Sequence, residues 1–140
     1  MKKNNKAQEK VFVVFMPHNM DEHKTIFQKL FCFCLNHLKK NFSHVAVYKY
    51  NAAKSAIIEI NCCSDNLIVN EINIKDFFYF ISSPEKTCII AEAEQGKIQA
   101  KGFIDCVGVT KHYLGISNPF IITPYQLFKY LEKKYGKQKS

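Results

Sequence analysis

A cysteine that opens a helix is the residue of this sequence best suited to nucleophilic chemistry. In "DCVGVTKHYLGI", Asp105 is a natural N-cap and the apolar residues follow one helical face, which predicts a helix over 105–114 with Cys106 in its first turn. The free backbone N–H groups and the positive dipole end at a helix N-terminus favour thiolate over thiol. We therefore expect a lowered pKa for Cys106 and predict that it is the nucleophile, the first of the six cysteines to react with a thiol reagent.

An imidazole is the second requirement, because a group must take the thiol proton and later return it to the leaving group. The apolar stretch "FSHVAVY" predicts a strand from about Phe42 to Tyr50, and His44 stands at its start. A histidine there is either a half-exposed strand end or a rigidly held base. With Cys106 available as its partner, we predict that His44 is the base.

A third polar group should orient the imidazole. The next predicted strand, from Ala56 to Cys62, carries Glu59 in the apolar run "AIIEIN". If the two strands form a hairpin, Glu59 lies beside His44 on one face, and an unpaired buried carboxylate would be strongly destabilising. We predict that Glu59 contacts an imidazole nitrogen of His44. Asn61 shares that face by alternation and is the alternative orienter.

The remaining elements must frame these residues within a single domain. At 140 residues with 47% hydrophobic content, the chain has enough apolar surface for one packed core. We predict a basic disordered tail at 1–10, one α+β domain at 11–136 and a short tail at 137–140. The patterns predict a strand at 11–16, a helix within 21–40, a strand at 66–69, a helix or strand at 72–82, a strand at 87–94 and a last helix capped by Thr123 with Pro124 first.

Charge and cysteine usage exclude several classes of function. The net charge is +8, but all 20 basic residues are lysines, whereas arginine makes most bidentate contacts to bases and phosphates. We therefore expect no specific nucleic-acid partner. No C-x-x-C pair occurs, and Cys62 and Cys63 would point to opposite faces of a strand, so we expect no metal and no cofactor. The five cysteines other than Cys106 are interpreted as reduced packing residues. No apolar run approaches the ~20 residues of a transmembrane helix, and we expect a cytoplasmic protein.

Four motifs in order give the chain a family resemblance. "SHVAVY", "IIEI", "GFIDCVGV" and "TPYQLFKYL" resemble the circularly permuted branch of the NlpC/P60 papain-like superfamily, which includes the YiiX-like and lecithin:retinol acyltransferase-like proteins. In that branch the histidine strand precedes the cysteine helix. The resemblance covers about residues 42–131. Around Cys106 the chain lacks the "NCEHF" motif of the acyltransferase-like members. The resemblance implies a small antiparallel sheet packed on helices in permuted papain-like topology.

The resemblance also implies a function. It indicates a cysteine-dependent hydrolase or acyltransferase acting on an amide or ester of a peptide, a cell-wall peptide or a lipid. Cys106 would attack, His44 would act as base and then acid, and Glu59 or Asn61 would orient the ring. The alternative is a non-catalytic module of the same fold. The tail "C-V-x-V-x-K-x-x-L-G-I…TP-x-Q-L" is similar to small proteins of phage structural-gene clusters, which implies a virion or assembly component and a virion location.

Overall fold

Five strands form the centre of the molecule. The computed structural model describes residues 9–17, 41–63, 66–93 and 105–136; the helix expected within 21–40, tail residues 1–8 and 137–140 lie outside these ranges. The strands are β1 (Glu9–Met16), β2 (His44–Asn51), β3 (Ala56–Cys63), β4 (Asn66–Asn73) and β5 (Thr87–Ala93). They form one sheet in the order β4-β3-β2-β1-β5, with every neighbouring pair antiparallel.

The predicted strands are confirmed, and two of them, β1 and β4, are longer than predicted. The strands around His44 and Glu59 are antiparallel neighbours, as the alternating pattern indicated. β1 begins two residues earlier than predicted, because Glu9 and Lys10 of the expected tail pair with the end of β5. β4 is twice as long as predicted, since it pairs with β3 over the full length of both strands.

Three helices belong to the described part of the chain, and polar side chains cap all of them: α1 (Ile74–Ile81), α2 (Cys106–Tyr113) and α3 (Pro124–Tyr135). The ambiguous segment at 72–82 contains α1, where Asn73 accepts a hydrogen bond from the Lys75 amide at 2.8 Å. Asp105 caps α2 by accepting from the Gly108 amide. The protein is therefore an α+β fold. None of the described helices, of which the longest has 12 residues, is long and apolar enough to cross a bilayer.

The sheet has an apolar core on each of its two faces, because strand side chains alternate. The α1 face is the side covered by α1, and its buried residues are Val14, Ala46, Tyr48, Ile57 and Phe77. The α2 face is the side covered by α2 and α3, and its buried residues include Val13, Phe15, Val45, Val47, Val107, Leu127, Phe128 and Leu131. Any site residue on a strand therefore belongs to one of these two faces.

The ladder between β2 and β3 stops before either strand ends. Their pairing runs from Asn51 opposite Ala56 to Val47 opposite Ile60. Beyond that point β2 continues only along β1, to His44 opposite Met16, while β3 continues along β4. The first turn of α2 lies against this end of the sheet, because the Val45 amide hydrogen-bonds to the Cys106 sulfur. The candidate site is therefore at the place where β2 and β3 separate.

Candidate active site

The imidazole of His44 is held by Asn61. The His44 side chain is buried, with 5% of its surface exposed, and its Nε2 lies 2.7 Å from Oδ1 of Asn61. By position along the strands Asn61 stands level with Ala46, which makes it a diagonal neighbour of His44 on the same face. Diagonal pairs are roughly 7–8 Å apart at the backbone, within reach of two long polar side chains. Here a side-chain hydrogen bond joins β2 and β3 where their backbone ladder has ended.

The direct contact predicted between Glu59 and His44 is wrong. The register places Glu59 opposite Tyr48, four positions along β2 from His44. At about 3.3 Å per residue that is roughly 13 Å, too far for a carboxylate to reach the ring. Alternation alone put Glu59 on the correct face, but only the register fixes its distance. The predicted alternative, Asn61, contacts the imidazole instead.

The Glu59 carboxylate accepts three hydrogen bonds from other side chains. Tyr48 Oη donates to Oε1 at 3.0 Å, Asn61 Nδ2 donates to the same oxygen at 3.2 Å, and Asn70 Nδ2 donates to Oε2 at 3.3 Å. Glu59 therefore reaches His44 through the Asn61 amide. No sequence pattern predicts the roles of Tyr48 and Asn70, because their positions opposite Glu59 follow only from the register of three strands.

Cys106 is the first residue of α2, as predicted. The backbone N–H groups of Val45 and Val107 hydrogen-bond to its sulfur, and the Asp105 carboxylate and the Cys62 thiol are close enough to act on its charge. Val45 directly follows His44 in the chain. The N-terminus of α2 thus places the Cys106 thiol beside Val45, the strand residue next to His44.

The expected lowering of the Cys106 pKa is wrong in direction. Burial raises the pKa of this thiol to about 12, although the hydrogen bonds from the Val45 and Val107 amides lower it. Asp105 and Cys62 raise it further, because negative charge beside a thiol disfavours the thiolate. The effect of the helix N-terminus is present, but loss of solvent around the sulfur is larger. Cys106 is therefore a neutral thiol near pH 7.

The thiol and the imidazole approach the end of the sheet from different sides. Alternation assigns His44 to the α1 face with Tyr48, whereas Cys106 packs against the core of the α2 face, which contains Val45 and Val47. The Val45 amide hydrogen-bonds to the Cys106 sulfur, and Val45 directly follows His44. The thiol and the imidazole are therefore both near the start of β2. A reaction that uses both groups must take place at this end of β2.

Two further cysteines of the described residues, Cys62 and Cys88, are thiols in packing positions. Cys62 is buried on the α2 face. Cys88 on β5 is half-buried against the α1 face, and burial raises its pKa to about 11. Cys32, Cys34 and the Cys63 side chain lie outside the described residues. Cys88 is a natural comparison for Cys106, because burial raises both pKa values and only Cys106 has the helix amides.

Among the side chains that the structure describes, no group of three or more histidine, cysteine or acidic residues is arranged to hold a metal ion. No family model, curated protein or solved structure matches the chain. The resemblance to the permuted papain-like proteins therefore rests on the four sequence motifs alone.

Proposed function

We propose that the chain is a cysteine-dependent hydrolase or acyltransferase of permuted papain-like topology that acts on an amide or an ester. Cys106 is the nucleophile, His44 transfers the proton and Asn61 orients the ring. The observation that carries this proposal is the 2.7 Å contact between His44 Nε2 and Asn61 Oδ1, made one residue from the amide that bonds to the Cys106 sulfur. An asparagine that orients the imidazole is the arrangement of papain-like proteases.

The neutral thiol determines how the reaction would proceed. With a pKa of about 12, Cys106 does not form a stable thiolate–imidazolium pair before substrate binds. The imidazole of His44 takes the thiol proton as the sulfur–carbon bond to the substrate carbonyl forms. The imidazolium then protonates the leaving amine or alcohol, and a thioester remains on Cys106.

Release of the thioester completes the cycle. Neutral His44 removes a proton from water, or from an acceptor amine or alcohol, which attacks the thioester carbonyl. The imidazolium returns its proton to the departing sulfur, which restores the thiol. The Cys106 backbone N–H, at the start of α2, is the donor that we assign to the developing oxyanion. The proposed substrates are a peptide, a cell-wall peptide or a lipid ester.

A second candidate is a non-catalytic module of the same fold that serves in a virion or another protein assembly. Two observations favour it: the raised pKa of Cys106, and the assignment of the thiol and the imidazole to different faces of the sheet. In this case Cys106 fills space beneath α2, and the polar contacts of His44 fix the end of β2.

Acylation by p-nitrophenyl acetate distinguishes the two candidates. The protein is mixed with the ester, release of p-nitrophenol is followed by absorbance, and the acetylated cysteine is located by peptide mass mapping. A hydrolase acetylates Cys106 first, and Cys106→Ala abolishes the burst. His44→Ala slows it by roughly 10²–10⁴-fold, the usual contribution of a general base.

Cys88→Ala is the matched control, because it removes another partly buried free thiol and leaves α2 unchanged. It should leave the burst intact. Acetylation spread over Cys88 and Cys106 at similar rates, or a burst that is indifferent to His44→Ala, refutes the hydrolase and supports the non-catalytic module.

A further inference from the structure

The amide of Asn61 lies between an acceptor and a ring that can either donate or accept. On one side its Nδ2 donates to Oε1 of Glu59 at 3.2 Å, and on the other its Oδ1 lies 2.7 Å from Nε2 of His44. A carboxylate only accepts hydrogen bonds, whereas each nitrogen of a neutral imidazole can be the donor or the acceptor, depending on the tautomer. If the Asn61 amide were turned over, its Oδ1 would face Oε1 of Glu59. Both oxygens are acceptors, so no hydrogen bond could form between them. Glu59 therefore determines which end of the Asn61 amide faces His44.

We propose that Glu59 is a positioning residue that fixes the tautomer of His44. Because Oδ1 of Asn61 can only accept, the proton of the neutral imidazole must lie on Nε2. The lone pair then lies on Nδ1. On the α1 face Glu59 contacts Asn61, and Asn61 contacts His44. The carboxylate fixes the orientation of the Asn61 amide, and the amide oxygen fixes the position of the proton on the ring.

The carboxylate is well placed for this role because both of its oxygens are held. Tyr48, Glu59 and Asn70 are direct cross-strand partners in one row over β2, β3 and β4. The Tyr48 side chain is 1% exposed, and its ring centroid lies 5.0 Å from that of Phe77 in α1. A tyrosine packed in this way holds its hydroxyl on Oε1, while Asn70 donates to Oε2. The carboxylate cannot rotate away from Asn61 without losing these contacts.

The catalytic consequence rests on the proposed function. A general base needs an unprotonated nitrogen, and the Nε2–H tautomer makes Nδ1 that nitrogen. The tautomer itself is a property of the resting protein, and it can be measured without any substrate. Failure of the hydrolase proposal and failure of this inference are therefore separate results.

The test is a long-range ¹H–¹⁵N correlation spectrum of histidine-labelled protein, recorded at a pH high enough that the His44 signals no longer move. Protonated and unprotonated ring nitrogens have well-separated ¹⁵N shifts, so the spectrum reports which nitrogen carries the proton. His44→Gln identifies the signals. We expect Nε2–H in the wild type and intermediate shifts from mixed tautomers in Glu59→Gln, because a glutamine amide can face Asn61 with either end.

A double variant shows whether Glu59 acts through the order of hydrogen-bond donors and acceptors or only through its packing. In Glu59→Gln with Asn61→Asp, the carboxylate at position 61 can only accept, so Nε2–H should return although Glu59 is still absent. Glu71→Gln is the matched control; this exposed β4 carboxylate binds Lys54 at 2.7 Å, and the Asn61 contacts do not involve it. Its His44 shifts should equal those of the wild type.

Two results overturn the inference. One is Nδ1–H in the wild type, a result that does not depend on the Glu59 or Asn61 variants. The other is a folded Glu59→Gln protein, checked by circular dichroism, whose His44 shifts match those of the wild type.

Discussion

The reactivity of Cys106 toward a small disulfide reagent tests the burial of the thiol directly. The pKa of Cys106 is raised to about 12 and that of Cys88 to about 11. At pH 8 the thiolate fractions are then about 1 in 10⁴ and 1 in 10³, a tenfold difference in favour of Cys88. A thiolate with a higher pKa is more nucleophilic, with a Brønsted slope of about 0.4–0.5, which reduces the expected difference to about threefold. We predict that Cys106 reacts at least about threefold more slowly than Cys88.

The assay is a pH series of brief treatments of the native protein, followed by mass mapping of the mixed-disulfide peptides. Both rates should rise about tenfold per pH unit between pH 7 and 10, since each group is far below its pKa. The same treatment in concentrated urea is the control, and there the two cysteines should react alike. Cys106 reacting ahead of Cys88, at a rate that stays constant between pH 6 and 8, would refute the reasoning, because it requires a thiolate that is already formed at pH 6.

Three further predictions address the orienter and the fold. Asn61→Ala should lower kcat for the p-nitrophenyl ester by roughly 10- to 100-fold, since a hydrogen bond to a charged imidazolium contributes about 1.5–3 kcal/mol; unchanged kcat contradicts a role for the amide. Phe77→Ala, which removes the fully buried ring of α1, should lower the urea-derived free energy of unfolding by about 3–5 kcal/mol, whereas Tyr79→Ala, at a residue 86% exposed, should change it by less than about 0.5 kcal/mol. Thr123→Ala should cost about 1 kcal/mol in the same measurement, because its hydroxyl accepts from the Gln126 amide in a capping box; a loss below ~0.3 kcal/mol would assign the helix start to Pro124 alone.

The elements were predictable where local chemistry determines them. Alternating apolar residues and turn residues predicted the hairpin of β2 and β3, and Asp105 and Thr123 predicted the starts of α2 and α3. The segment at 72–82 was ambiguous because its aromatic run suits a buried strand as well as a helix. Asn73 resolves it, since its side chain caps the Lys75 amide and starts a helix. Local signals of this kind do not depend on the rest of the fold.

The contacts within the site were less predictable, because they depend on the register of β2 and β3 and on how deeply Cys106 is buried. Alternation put His44, Glu59 and Asn61 on one face, but a hairpin with a different register would bring another of these acceptors to the ring. The pKa of Cys106 depends on how deeply the first turn of α2 packs against β2. A helix N-terminus indicates how nearby amides act on a thiol, and it carries no information on how much solvent reaches the sulfur.

The polar contacts of His44 also bear on the choice between the two proposed functions. A histidine that only fills the end of a strand needs an acceptor for its ring N–H, and a backbone carbonyl is sufficient. Here the ring contacts an amide that contacts a carboxylate, and the carboxylate is held by a buried tyrosine and by Asn70. Each added polar group has a desolvation cost that an apolar residue of similar size would not have. What the arrangement provides in return is one fixed orientation and one protonated nitrogen for His44, and a proton-transfer residue requires both.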